Sequence, residues 1–271
     1  MPLARVGEIE LSYERTGSGP PLLLIMGMSG TFSHWPEPFL DQLRASFEVI
    51  VYDHRGVGES SPRGDEPVTT AGLAADAAGL LDALELGAVD VLGISMGGMV
   101  AQELVLAHPE RVGALVLGCT YCGGPDSALA SPEVIQRLAA GMSSGDRELS
   151  IRTAWEINAS PAFVASAEGQ REWETFRAIG MRRAVPVPTI MAQMRAVVGH
   201  DTHARLGQLA MPTLIVHGTA DQMVPVENAH LIHRLIPGSR LEILDGAGHL
   251  FFWEQPHRSA ELVLDHLAVH A

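Results

Sequence analysis

Two hydrophobic rhythms alternate along this chain. Short unbroken apolar runs, such as Leu22-Leu23-Leu24-Ile25-Met26 and Val112-Gly113-Ala114-Leu115-Val116-Leu117-Gly118, suit strands buried on both faces. Phe47–Tyr52, Val89–Ile94, Pro212–Gly218 and Arg240–Leu244 are further predicted strands. Between them, apolar residues recur at helical spacing, as Leu73, Ala77, Leu80, Leu81 and Leu84 do in a stretch that Thr69 or Thr70 can cap. Further helices are predicted over Pro36–Ala45, Met96–His108, Val226–Leu235 and Pro256–Val269. Residues 3–15 alternate loosely around Gly7 and predict a hairpin. With its two strands the chain has eight. The expected fold is α/β, a mostly parallel eight-stranded sheet with helices on both faces.

The rhythm lapses over residues 121–207. That stretch holds helical segments, Val134–Ala140, Ser150–Ile157 and Trp173–Met181, broken by Gly and Pro. It reads as a helical lid inserted into a core of residues 1–120 and 208–271. Ligands in such sheets bind beyond the carboxyl ends of the strands, so an insert leaving a strand there covers the site.

The candidate chemistry sits at those strand ends. Asp90-Val91-Leu92-Gly93-Ile94-Ser95-Met96-Gly97-Gly98 runs from strand through Gly-x-Ser-x-Gly into a helix, the context of a nucleophile elbow. A sharp turn there exposes Ser95 and leaves no room for side chains two residues before and after, where Gly93 and Gly97 stand. Serine needs a base, and the base an orienting partner. Asp221 follows the 212–218 strand and His249 follows the 240–244 strand. The order Ser, Asp, His is that of the α/β-hydrolase triad.

Through Leu22–Gly27, Asp53–Ser60, Gly93–Gly98, His217–Pro225 and Gly248–His249 with Glu254 and Pro256, the chain resembles the α/β-hydrolase superfamily over nearly its whole length. The resemblance implies Ser95 as nucleophile, His249 as general acid/base and Asp221 as its partner. It also implies backbone N–H groups of Met28 and Met96 as the oxyanion hole. Gly27, His34, Trp155, Val224 and Leu250 are the expected substrate contacts. Where the family usually reads His-Gly after its early strand, this chain reads Met26-Gly27. The departure bears on local hydrogen bonding, not on mechanism. With Trp35-Pro36 and Tyr52-Asp53-His54-Arg55, it is faintly similar to polyketide methyl esterases.

The implied function is hydrolysis of a carboxylic ester, lactone or thioester of a small, moderately hydrophobic substrate, with no cofactor. Carbon–carbon hydrolysis, cofactor-free perhydrolysis and acyl transfer use the same serine and stay open, as does a small-molecule receptor on this fold. Dehalogenases and epoxide hydrolases place Asp where Ser95 stands.

Composition narrows the field. The 271 residues are 46% hydrophobic, enough for a large core. A net charge of −14 argues against nucleic acid and anionic membrane surfaces as partners. All 18 basic residues are Arg, so Schiff-base and phosphate-loop lysine chemistry is absent. No apolar run approaches membrane-spanning length and the N-terminus lacks a signal-peptide core, so a cytoplasmic location is expected. Asp53-His54-Arg55-Gly56-Val57-Gly58 lacks the third glycine of a dinucleotide loop, with Ser at position 61. Cys119 and Cys122 have redox spacing, but Gly123-Gly124-Pro125 starts no helix behind them, and pocket lining is the expectation. His217 is expected to be buried and hydrogen-bonded, and His108, His230, His233, His257, His266 and His270 to lie at the surface.

Overall fold

The computed structural model describes residues 1–269 apart from 63, 65 and 183. Its eight strands form one sheet in the order β1-β2-β4-β3-β5-β6-β7-β8. These are β1 Leu3–Val6, β2 Ile9–Gly17, β3 Pro21–Ile25, β4 Glu48–Tyr52, β5 Val89–Ile94, β6 Val112–Gly118, β7 Thr213–Gly218 and β8 Arg240–Leu244. The β1–β2 and β2–β4 pairings are antiparallel, and β4-β3-β5-β6-β7-β8 run parallel.

Alternation along each parallel strand divides its side chains between two cores. Leu23, Ile25, Ile50, Tyr52, Val91, Leu115, Leu117 and Ile215 face one. Leu22, Leu24, Val49, Val51, Leu92, Ile94, Val116, Leu214 and Val216 face the other. This is why β3 and β6 carry no polar side chain: neither face meets water. Helices α1 (Glu37–Arg44), α2 (Thr70–Ala83) and α3 (Met96–Ala107) connect the first strands. Thr69, not Thr70, caps α2, accepting from the Gly72 N–H at 2.9 Å.

Among the described residues, five α-helices stand between β6 and β7: α4 Pro132–Ser143, α5 Arg147–Asn158, α6 Pro161–Ala165, α7 Ala167–Arg182 and α8 Val187–Val198. The apolar spacing predicts parts of α4, α5 and α7 but not α6 or α8. Both begin with proline in the first turn, where the missing N–H has no intrahelical partner to lose, so a residue read as a breaker is a starter. An aromatic cluster joins these helices to the core. The Trp155 ring lies 5.1 Å from Phe176, 5.9 Å from Phe163, 6.2 Å from Trp173 and 6.1 Å from Trp253.

The chain closes with α9 (Glu227–Leu235), the short α10 (Phe251–Glu254) and α11 (Pro256–Ala268). His266 corrects an expectation of exposure: it is buried on α11, one turn from Leu262 and Val263 on the same apolar face. Among the described residues no helix is long and apolar enough to cross a membrane.

Candidate active site

β5 ends at Ile94 and α3 begins at Met96, so a single residue, Ser95, makes the turn. It does so at φ +53° and ψ −124°. A side-chain-bearing residue held in the left-handed region is strained, and such strain persists only where the surroundings over-determine it. Here they do. The Ser95 N–H donates to the Gly118 carbonyl at 2.9 Å. Its own carbonyl accepts from the Gly98 N–H at 2.9 Å and from Thr120 Oγ1 at 2.7 Å.

The flanking glycines are required by contact. A Cβ on Gly93 would fall 2.3 Å from the Gly97 carbonyl oxygen, and one on Gly97 only 2.0 Å from that of Ile25. Alanine at position 97 is therefore expected to destabilise the protein by about 1–3 kcal/mol. This outweighs the ~1 kcal/mol that Gly→Ala gains inside a helix. Urea unfolding of Gly97→Ala against the native protein reads the difference.

The loop after β3 lies against this turn. A Cβ on Gly27 would stand 3.1 Å from Ser95 Cβ and 3.6 Å from its Oγ. The next N–H, that of Met28, has no acceptor among the described residues. The Met96 N–H opens α3 and has none within the helix. The two expected oxyanion donors thus come from segments packed on the serine. The support left open by Met26 is supplied from β4's far end. His54 Nε2–H donates to the Met26 carbonyl at 3.0 Å, and Asp53 Oδ1 accepts the Phe32 N–H at 2.8 Å. Burial holds His54 below the ordinary imidazole range, so it stays a neutral donor.

Asp221 and His249 meet at the same edge. Asp221 Oδ2 accepts from His249 Nδ1 at 2.7 Å and lies 3.1 Å from His217 Nε2. Its Oδ1 accepts the Met223 and Val224 N–H groups, each at 2.8 Å. Burial works against the carboxylate, but His249 and His217 overcome it and hold Asp221 at about 2. Burial likewise opposes charge on His249, yet the carboxylate on Nδ1 prevails and lifts it above the ordinary imidazole range. With Nδ1–H committed to Asp221, Nε2 is the nitrogen left to move a proton.

No hydrogen bond joins Ser95 Oγ to His249 in this conformation; such contacts often tighten only with substrate bound. The imidazole meets the buried Cys119 thiol instead. Burial lifts that thiol, and lifts Cys122 to about 11, the reverse of what a reactive cysteine needs.

The family model described as alpha/beta hydrolase fold matches residues 20–154 and 155–256. The chain belongs to this family. A solved hydrolase from Pseudomonas aeruginosa PA01 is 32% identical, with a TM-score of 0.82 over 98% of each chain. A thermophilic esterase from Thermogutta terrifontis is 27% identical, with a TM-score of 0.81 over 99% of this chain and 98% of its own. A 2-hydroxy-6-oxononadienedioate/2-hydroxy-6-oxononatrienedioate hydrolase from Paraburkholderia xenovorans is 28% identical, over 97% of this chain and 92% of its own. Hydrolase chemistry of the α/β-hydrolase type is common to these relatives and to this chain. Relatives with different substrates lie at nearly the same identity.

The remaining expected contacts divide. Gly27 touches the serine, as described. Val224 carries the N–H that Asp221 accepts and the carbonyl that His217 Nε2 reaches at 2.8 Å. Leu250 follows His249 and donates its N–H to the Asn158 carbonyl at the end of α5 at 2.9 Å. His34 is tied to Thr31, whose N–H lies 3.1 Å from Nδ1, and its ring meets Phe176 edge-on at 5.4 Å. Burial lowers His34 to about 4, so it is neutral. Trp155 is 1% exposed inside the aromatic cluster, where its faces are taken up by packing.

Two supporting residues, Thr120 and Gln193, lie outside every motif, and a third, Glu254, stands in the matched stretches without an assigned role. Thr120 holds the Ser95 carbonyl, as noted. Glu254 takes the Gly248 N–H at 2.9 Å and, from the inserted helices, the Ser160 N–H at 2.8 Å and hydroxyl at 2.6 Å. Gln193, on α8, accepts the Ser29 N–H at 2.8 Å.

Proposed function

We propose that this protein is a serine hydrolase that cleaves a carboxylic ester, lactone or thioester of a small, moderately hydrophobic substrate through an acyl-enzyme on Ser95. The observation that carries the reading is the strained Ser95 turn at the head of α3 on the same sheet edge as the 2.7 Å Asp221–His249 pair. A hydroxyl held out on such a turn is useful only to a reaction that needs it exposed.

His249 Nε2 takes the Ser95 proton as Oγ attacks the scissile carbonyl carbon. The carbonyl oxygen becomes an oxyanion and is met by the Met28 and Met96 N–H groups, each worth a few kcal/mol in the transition state, about 3 for a single donor. His249 then gives its proton to the departing alcohol or thiol, leaving the acyl group on Oγ. Water attacks the acyl carbon as His249 takes its proton, and collapse breaks the Oγ–acyl bond, releases the acid and returns that proton to Ser95 Oγ. Asp221 keeps Nδ1 protonated and stabilises the imidazolium throughout. The inserted helices act as a lid: α5 reaches the His249 loop through Asn158, and α8 reaches the oxyanion loop through Gln193. Their side chains set what enters.

The test uses the native enzyme, quenched during turnover of p-nitrophenyl butanoate and analysed by peptide mass spectrometry. A butanoyl adduct on Ser95 is the expected result. Turnover without that adduct overturns the mechanism. Ligand-induced thermal stabilisation with no turnover of any ester, lactone or thioester points to a receptor instead.

A further inference from the structure

We infer that Gln193 forms a substrate subsite, donating a hydrogen bond from Nε2 to an uncharged acceptor oxygen on the acyl group, close to the scissile carbonyl. The inference rests on the hydrolase reading above and adds a substrate class to it: acyl groups bearing an ether, keto or hydroxyl oxygen near the reacting carbon.

Gln193 is 1% exposed and sits on α8 in the inserted helices. Its carboxamide crosses to the loop after β3, where Oε1 accepts the Ser29 N–H at 2.8 Å. That bond decides the amide's orientation. Only the oxygen can face an N–H, so the nitrogen is the other end of the group. Nε2 is buried and has no hydrogen-bond partner among the described residues. A buried amide nitrogen with both hydrogens unsatisfied is costly and rare, and in a native protein it calls for an occupant.

Location says which occupant. Ser29 is the residue after Met28, so the carboxamide lies one peptide from the N–H assigned to the oxyanion. Ser29 itself has φ +56°, a loop conformation that the Gln193 bond helps to hold. A substrate whose carbonyl oxygen reaches Met28 brings its acyl chain past this amide. A neutral carboxamide suits an uncharged acceptor, because a carboxylate buried here would call for a cation.

The test compares two acyl chains of equal length, methoxyacetyl and butanoyl, as p-nitrophenyl esters of the full-length enzyme and of Gln193→Met. Methionine keeps the volume but removes both the Ser29 tether and the donor. Tether loss slows both esters alike. Donor loss slows only the ether-bearing one. The methoxyacetyl-to-butanoyl ratio of kcat/KM is expected to fall about tenfold in the variant, the worth of one hydrogen bond to a neutral acceptor. Intrinsic reactivity cancels in that comparison. An unchanged ratio, with both esters still hydrolysed, overturns the subsite and leaves the hydrolase reading intact.

A second measurement keeps Gln193 in place and needs neither turnover nor a folded variant at that position. Ser95→Ala protein is titrated with the two corresponding methyl esters by ligand-observed NMR, and tighter binding of the methoxyacetate is expected. Such a preference without turnover by the native enzyme sinks the hydrolase reading and keeps the subsite. Equal binding overturns the subsite.

Discussion

Replacing Ser95 with alanine is expected to lower kcat by about 10⁴- to 10⁶-fold and to abolish covalent labelling by a fluorophosphonate. The loss is large because Oγ is the atom that forms the acyl bond; nothing else at the turn can take its place. Cys119 lies beside His249, but its thiol is buried and held protonated. Residual catalysis should come from the oxyanion donors, which are backbone groups and survive the change. The variant should fold normally. The strain at Ser95 belongs to φ and ψ, alanine carries the same Cβ, and the N–H and carbonyl keep their partners on Gly118, Gly98 and Thr120. Undiminished labelling of Ser95→Ala would place the nucleophile elsewhere.

Asp221→Asn should cost about 10⁴-fold in kcat while leaving substrate binding nearly unchanged. The carboxylate makes four contacts, and asparagine can keep only part of them. If its oxygen retains the Met223 and Val224 N–H groups, its NH₂ faces His249 Nδ1, where an acceptor is needed. The imidazole is then driven to the wrong tautomer, with Nε2 protonated and unable to act as base. A pH profile distinguishes this from simple misfolding. In the native enzyme the Asp221 charge lifts His249 above the ordinary imidazole range, so kcat/KM should rise through an acid limb above pH 6.5. Without that charge the limb should move to lower pH. Stability is linked with the opposite sense. Asp221 ionises at about 2 in the folded state against 3.8 ordinarily, so its contribution is complete above 3.8 and is lost as pH falls through about 2. The asparagine variant lacks that contribution at neutral pH. A limb that stays in place in Asp221→Asn would refute the pairing.

Much of the core and the candidate triad is legible in the chain because their constraints are short-range. A strand buried on both faces must be apolar at every position, and the runs around Leu22–Ile25 and Val112–Gly118 are. A turn with φ near +53° between a strand and a helix excludes side chains two residues away, and Gly93 and Gly97 mark it. The misreadings are equally physical. Proline in a first turn looks like a break, so α6 and α8 are missed. His266 reads as a surface residue until α11 turns it inward.

The chain alone thus determines which residue types stand at which strand ends, in the order Ser95, Asp221, His249, because backbone sterics and strand burial act over a few positions. Only the tertiary structure decides what holds and selects. His54 reaches the Met26 carbonyl across 28 positions, His217 joins His249 on one carboxylate oxygen, and Gln193 meets Ser29 across 164. Such contacts leave no local trace, since each depends on how separately formed elements pack.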